Sequence, residues 1–391
     1  MEYQFQTGTL LLLIAAVVAM LTRRLRLSYS VGLVVAGIIL AVLPFAPKII
    51  LTKDLIYTAL LPPLLFEAAF FIHWNQLRRD FSLIVVLATL GVLLSASVTA
   101  TGMNFLANWQ WIDALVFGTL IAATDPVSVI TIFREAKAQG RLLLLIEAES
   151  LFNDGTAAVA FGVVIALAAG QHLSSIEITA MLLKTIIGGS LCGAAVAFGS
   201  LLLAGRTDDH LVEITFTTVA AYGSFLLADH FGLSGVLATI TAGLIIGNFK
   251  SLKSFSERSK EAVQAFWEYA AFIANSLVFL LIGMHEARQN FAVIWLPALI
   301  AIALVTLGRA IAIYPCCLIF SRSSLRVTGR HQLSLFWGGL RGALALALAL
   351  GLPPTIPLRE EIITISFAVV AFSVLVQGLT MVPFLRRMRE I

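Results

Sequence analysis

Apolar residues along this chain come in long runs, and most charged residues gather into short connections between them. A helix needs about 20 predominantly apolar residues to cross a bilayer. Runs of that order recur from Thr9 to Leu385 and divide into thirteen expected spans. They cover Thr9–Leu21, Tyr29–Phe45, Leu55–Ile72, Phe81–Leu106, Trp111–Phe133, Leu142–Ala169, Ile178–Leu203, Leu211–Asp229, Leu233–Asn248, Ala262–Met284, Phe291–Phe320, His331–Leu352 and Leu358–Leu385. The fold class this predicts is an all-α polytopic membrane protein of about 13 transmembrane helices.

Charge tests the division. Basic residues favour cytoplasmic loops. Alternate connections carry Arg23, Arg24 and Arg26; Arg78 and Arg79; Arg134, Lys137 and Arg141; Arg206; Lys250, Lys253, Arg258 and Lys260; and Arg322, Arg326 and Arg330. Arg386, Arg387 and Arg389 follow the last span, whereas the opposite loops show only Lys48, Lys53, Arg288 and Arg359. That asymmetry predicts an N-terminus outside and a C-terminus in the cytoplasm, in a multi-pass protein of the cell membrane. The start has no basic n-region, so the first run is expected to be a retained helix. The net charge of +4 in a chain 59% hydrophobic and 12% charged needs no nucleic acid. The three cysteines lie in apolar runs and read as packing residues. All six histidines fall at or near span ends, which argues against a transition-metal or haem site.

Few ionisable residues remain at depth: Glu67, Asp125, Glu149, Asp154, Arg309 and Arg341. Each is costly there without a partner or a water-filled cavity. Glu149 and Asp154 share the sixth span in Glu149-Ser150-Leu151-Phe152-Asn153-Asp154. Ser150 and Asp154 occupy one helical face; Glu149 and Asn153 occupy a neighbouring one. One carboxylate can thus face a small ion while the other faces a structural partner. Asp125 precedes Pro126 in mid-span, and proline disfavours helix at the residue before it. This predicts a broken helix, whose freed carbonyls could coordinate a cation; a simple kink capped by Asp125 is the alternative. Gly338-Gly339-Leu340-Arg341-Gly342 suggests a second break seven spans later, as in an inverted repeat of spans four to six and eleven to thirteen. Glu67 follows Pro62 and Pro63 and either lines the ion path or has a structural role.

Glu-Ser-Leu-Phe-Asn-Asp-Gly, Thr-Asp-Pro-Val, Gly-Gly-Leu-Arg-Gly-Ala and Asn275–Gly283 together resemble the monovalent cation:proton antiporters of the NhaP/NHE type. The resemblance implies the NhaA-type fold with inverted repeats and two crossing broken helices. It also implies a homodimer and elevator-like alternating access. The expected scaffold is 1–80 and 206–290, the core 81–170 and 291–391, and a linker helix 171–205. Asp154 is implied to carry Na⁺, Li⁺ or a proton, with Asp125, Thr124, Ser150 and Glu67 as the other cation-site positions. Glu149 is expected to pair with Arg341, and Arg309 with Asp125, while Asn153 orients the helix. The Asn-Asp form marks the electroneutral branch, and the compact form resembles bacterial and archaeal members, which lack the animal exchangers' regulatory tail. The implied role is transport without a cofactor, not catalysis, serving pH and sodium homeostasis.

Rival functions stay open at this stage. A K⁺/H⁺ antiporter or a cation uniporter would use the same fold. An intramembrane aspartyl protease could pair Asp125 with Asp154, but it gives Arg309 and Arg341 no part.

Overall fold

The computed structural model describes residues 2–25, 28–43, 51–125, 129–130, 133, 140–171, 173–204, 206, 209–248, 257–287 and 291–388. Of the residues used above, Arg26, Phe45, Lys48, Pro126, Val127, Arg134, Lys137, Lys250, Lys253, Arg288, Arg389 and one of the six histidines, His172, lie outside these ranges.

Most of the described residues are helical, and none of them is in a strand. The helices are α1 (Glu2–Leu25), α2 (Tyr29–Val42), α3 (Leu55–Phe71), α4 (Trp74–Leu106), α5 (Trp111–Ile121), α6 (Arg141–Ala168) and α7 (Ser175–Ala204). They continue as α8 (His210–His230), α9 (Gly235–Asn248), α10 (Glu257–Glu286), α11 (Phe291–Ile319), α12 (Gly329–Trp337), α13 (Ala343–Leu350) and α14 (359–388). Every predicted span overlaps at least one of them, and eight are long and apolar enough to cross a membrane.

Local sequence explains the irregular points. Pro62 and Pro63 have no N–H to give, and α3 accommodates them by opening on a wide, π-type turn over Leu55–Leu60. Gly140 starts α6 at φ +84°, a conformation that favours glycine. Pro297 follows a kink in α11 at Ile294. The fourth span begins at Trp74, not at Phe81 as the charge pattern suggests. Its first turns are amphipathic: Leu77, Asp80 and Ile84 are buried, while Arg78 and Arg79 face out. Asp80 is held there by the Arg141 guanidinium, whose Nε lies 2.9 Å and Nη2 2.6 Å from Oδ1.

Packing sorts the helices into two groups. In one, α2 lies on α10, α3 on α9, and α7 on α8 and α9. In the other, α4 lies on α5 and α11, α6 on α4 and α5, and α14 on α11 and α13. The groups meet where α3 touches α6 and α13, where α6 touches α7 and α9, and where α14 touches α2 and α10.

Candidate functional site

The two predicted breaks are present, and they touch. Helix α5 stops at Ile121, and Ala123 to Asp125 leave the helical path. Helix α12 stops at Trp337, and α13 restarts only at Ala343. Between them the Asp125 N–H donates to the Leu340 carbonyl at 2.7 Å. Arg341 donates from Nη1 to the carbonyls of Ala122 at 2.6 Å and Ala123 at 3.0 Å. Those carbonyls close α5, where a helix carries partial negative charge, so the cation offsets the interruption it faces. Asp125 takes the complementary place. A Cβ on Gly342, the residue before α13, would fall 2.5 Å from Asp125 Cβ and 2.6 Å from its Oδ2. Its carboxyl therefore lies at the partly positive start of α13, and only glycine leaves it that room.

Next to the crossing is a cavity of about 20 Å³, room for one water-sized occupant. Thr124, Asp125, Asp154 and Gly342 to Ala345 line it on one side; Leu61, Leu64 and Leu65 of α3 line the other. The cavity thus lies on the seam between the two helix groups. Three buried oxygens in this region have no hydrogen-bond partner among the described residues: Thr124 Oγ1, Ser150 Oγ and Asp154 Oδ1. Ser150 is one turn before Asp154 but is not on the cavity wall. Glu67 is buried on α3 and is not part of the wall either.

Glu149 has different surroundings. It is 0% exposed and takes two parallel bonds from Arg309, Nη1 to Oε1 at 2.7 Å and Nη2 to Oε2 at 2.8 Å. Arg309 Nη2 also donates to the Leu335 carbonyl at 2.9 Å, in the last turn of α12. Each half-helix before a break therefore ends on an arginine: α5 on Arg341 and α12 on Arg309. Asn153 links the two regions, since its Oδ1 accepts from Thr124 N–H at 3.1 Å and its Nδ2 donates to Glu149 Oε1 at 3.4 Å.

A family model described as "sodium/hydrogen exchanger, transmembrane" matches residues 10–387. The chain belongs to the sodium/hydrogen exchanger family. It is 40% identical to the Na(+)/H(+) antiporter ApNhaP of Aphanothece halophytica over 358 residues, covering 91% of this chain and 68% of that one. It is 32% identical to the Na(+)/H(+) antiporter NhaH of Halobacillus aidingensis over 396 residues, covering 97% and 96%. The fold matches the sodium proton antiporter MjNhaP1 of Methanocaldococcus jannaschii at TM-score 0.76 and 21% identity, covering 100% of this chain and 97% of that one.

Within this exchanger, the expected ion pairs need correction. Glu149 is bonded by Arg309, where Arg341 was expected, and among the described residues the Arg309 guanidinium is directed to Glu149 and the Leu335 carbonyl. The cause is steric. A Cβ on Gly339 would strike Arg309 Nε, so the side chain from α11 passes over this glycine to reach Glu149. Arg341 lies beyond that point and is directed to the end of α5. Sequence reading also missed Ser373 and Gln377. Ser373 Oγ accepts from Arg341 N–H at 2.9 Å and donates to Gln377 Oε1 at 2.8 Å within a π-type turn of α14. A serine and a glutamine four apart in an apolar run were the available signal.

Proposed function

We propose that this exchanger moves Na⁺ or Li⁺ against H⁺ across the cell membrane, with cation and proton competing for Asp154. The observation that carries the reading is the set of buried oxygens on Thr124, Ser150 and Asp154 that no described group satisfies. An unsatisfied buried polar group is costly, and a hard cation that prefers oxygen ligands would relieve that cost. Asp154 and Asp125 would supply carboxylates, Thr124 and Ser150 hydroxyls, and the unwound segment carbonyls. Glu67 would act from beyond the leucine wall.

A carboxylate in apolar surroundings needs a counter-charge or a proton. Asp154 neutralised by either can cross; left bare it cannot cross cheaply. That requirement couples the two fluxes. Asn153 is neutral, so a single carboxyl exchanges, and the cycle is electroneutral. The helix group α4–α6 with α11–α14 acts as the moving core. The group α1–α3 with α8–α10 acts as a scaffold that also forms a homodimer contact, with α7 as the linker. The leucine face of α3 is the surface past which the core slides in elevator fashion. The N-terminus is outside and the C-terminus cytoplasmic. The physiological role is control of internal pH and sodium.

The test is a proteoliposome assay with an imposed pH gradient. Na⁺ and Li⁺ should each collapse the gradient, at a rate unchanged by clamping the membrane potential. Collapse by K⁺ alone would transfer the reading to a K⁺/H⁺ antiporter, and no collapse by any cation would reject it.

A further inference from the structure

Asn248 is the last residue of α9, and its carboxamide bridges two other helices. Oδ1 accepts from the Trp74 N–H at 2.7 Å, and Nδ2 donates to the Ile72 carbonyl at 2.7 Å. Nδ2 also donates to Leu244 O at 2.9 Å, which fixes the side chain on its own helix. Trp74 opens α4, and Ile72 follows the last residue of α3. The corner between them is two residues long and extended, with Ile72 at φ −73°, ψ 122° and His73 at φ −81°, ψ 118°.

The position of this corner gives it meaning. Up to Phe70, α3 is seated on α9: a Cβ on Gly243 would come 2.8 Å from Phe66 O, and one on Gly247 would strike Phe70 O. From Trp74 onward the chain packs with α5, α6 and α11. The chain therefore passes from one helix group to the other at Ile72–Trp74, and Asn248 grips both sides of the crossing. The first N–H groups of a helix have no partner of their own, so Asn248 sets where α4 begins.

We infer that Ile72–Trp74 is a pivot between core and scaffold, and that Asn248 is the positioning residue that holds it on the scaffold. The inference rests on the elevator reading above. A pivot transmits a defined rotation only while its own place is fixed. Losing Asn248's bonds should therefore slow turnover and leave the ion site unchanged.

The experiment compares the wild-type chain, Asn248→Leu and Asn248→Gln. The leucine keeps the branched shape and removes the bonds to Trp74 and Ile72. The glutamine keeps an amide oxygen for the Trp74 N–H and an amide nitrogen for the Ile72 carbonyl. Hydrogen–deuterium exchange should speed up in the peptide spanning Trp74 to Arg78 in Asn248→Leu and stay near wild type in Asn248→Gln. In proteoliposomes, Asn248→Leu should lower maximal Na⁺-driven exchange about fivefold, the size of one hydrogen bond's net worth, with apparent KM for Na⁺ unchanged. Asn248→Gln should keep most of the turnover. Wild-type turnover in Asn248→Leu overturns the pivot, as does an equal loss in both variants. A wild-type protein that exchanges no cation removes the functional reading, and the pivot with it.

Discussion

Glu149 and Asp154 are five residues apart on one helix, and both are buried, at 0% and 3% exposure. Their surroundings differ completely. Glu149 has both oxygens on the Arg309 guanidinium. Asp154 borders a cavity and keeps Oδ1 without a hydrogen-bond partner among the described residues. Under the proposed function, burial alone does not make a carboxylate a transport group. What matters is whether its counter-charge is built into the protein or must arrive from solution. The arginines differ in a related way, since Arg309 answers a carboxylate as well as the end of α12, and Arg341 answers the end of α5.

The largest stability effect should come from separating Glu149 from Arg309. Glu149→Leu or Arg309→Met leaves one buried charge uncompensated, which costs about 3–5 kcal/mol. The double variant should recover at least half of the summed loss, because an apolar pair of similar volume can replace a buried ion pair. Glu149→Leu combined with Arg341→Met should show no such recovery. Thermal melts of the purified proteins in detergent check both cycles, and coupling to Arg341 instead would restore the pairing first expected from the motifs.

A smaller effect should follow Gly339→Ala. The added methyl meets Arg309 Nε, and overpacking of this kind costs about 1–3 kcal/mol. In the Arg309→Met background most of that cost should vanish, because the thioether chain can give way. Equal losses in both backgrounds, read from the same melts, would mean that Gly339 is needed for another reason.

Much of this arrangement was legible in the sequence. The all-helical apolar architecture, the two breaks and the deep carboxylates followed from apolar runs interrupted by Asp125-Pro126, by the glycine cluster and by lone charges, whereas Thr124 and Ser150 as ion-site positions came from the family resemblance. The partner of each arginine was not legible. Pairing depends on which glycine a long side chain passes over where two helices cross, and linear spacing does not carry that. The start of α4 was misplaced because a charge-rich segment was read as a loop, although its buried positions repeat with a helical period. Glu147 and Glu213 lie near span ends in the sequence and are nonetheless buried. The Asn248 bonds join residues 174 and 176 positions apart and left no local trace.

The smallest stability effect separates function from folding. Ser150→Ala removes a buried hydroxyl that has no hydrogen-bond partner among the described residues, so it should melt at or slightly above wild type. The same variant should need more Na⁺ for half-maximal exchange. Thr124→Val should behave alike and retain some transport, since its backbone carbonyl remains. Wild-type Na⁺ titrations for both would move the ion away from these hydroxyls.

The most direct test of the distinction between the two carboxylates is proton release on Na⁺ binding. Titration calorimetry of the purified protein, in buffers of different protonation enthalpy and across a pH series, reads the protons displaced per ion bound. Wild type should release up to about one proton per Na⁺ on the acidic side of the series. The Glu149→Leu, Arg309→Met double variant should still do so, and Asp154→Asn should release none. Undiminished proton release from Asp154→Asn, or its loss from a folded double variant, would contradict the claim that Asp154 alone carries the exchange.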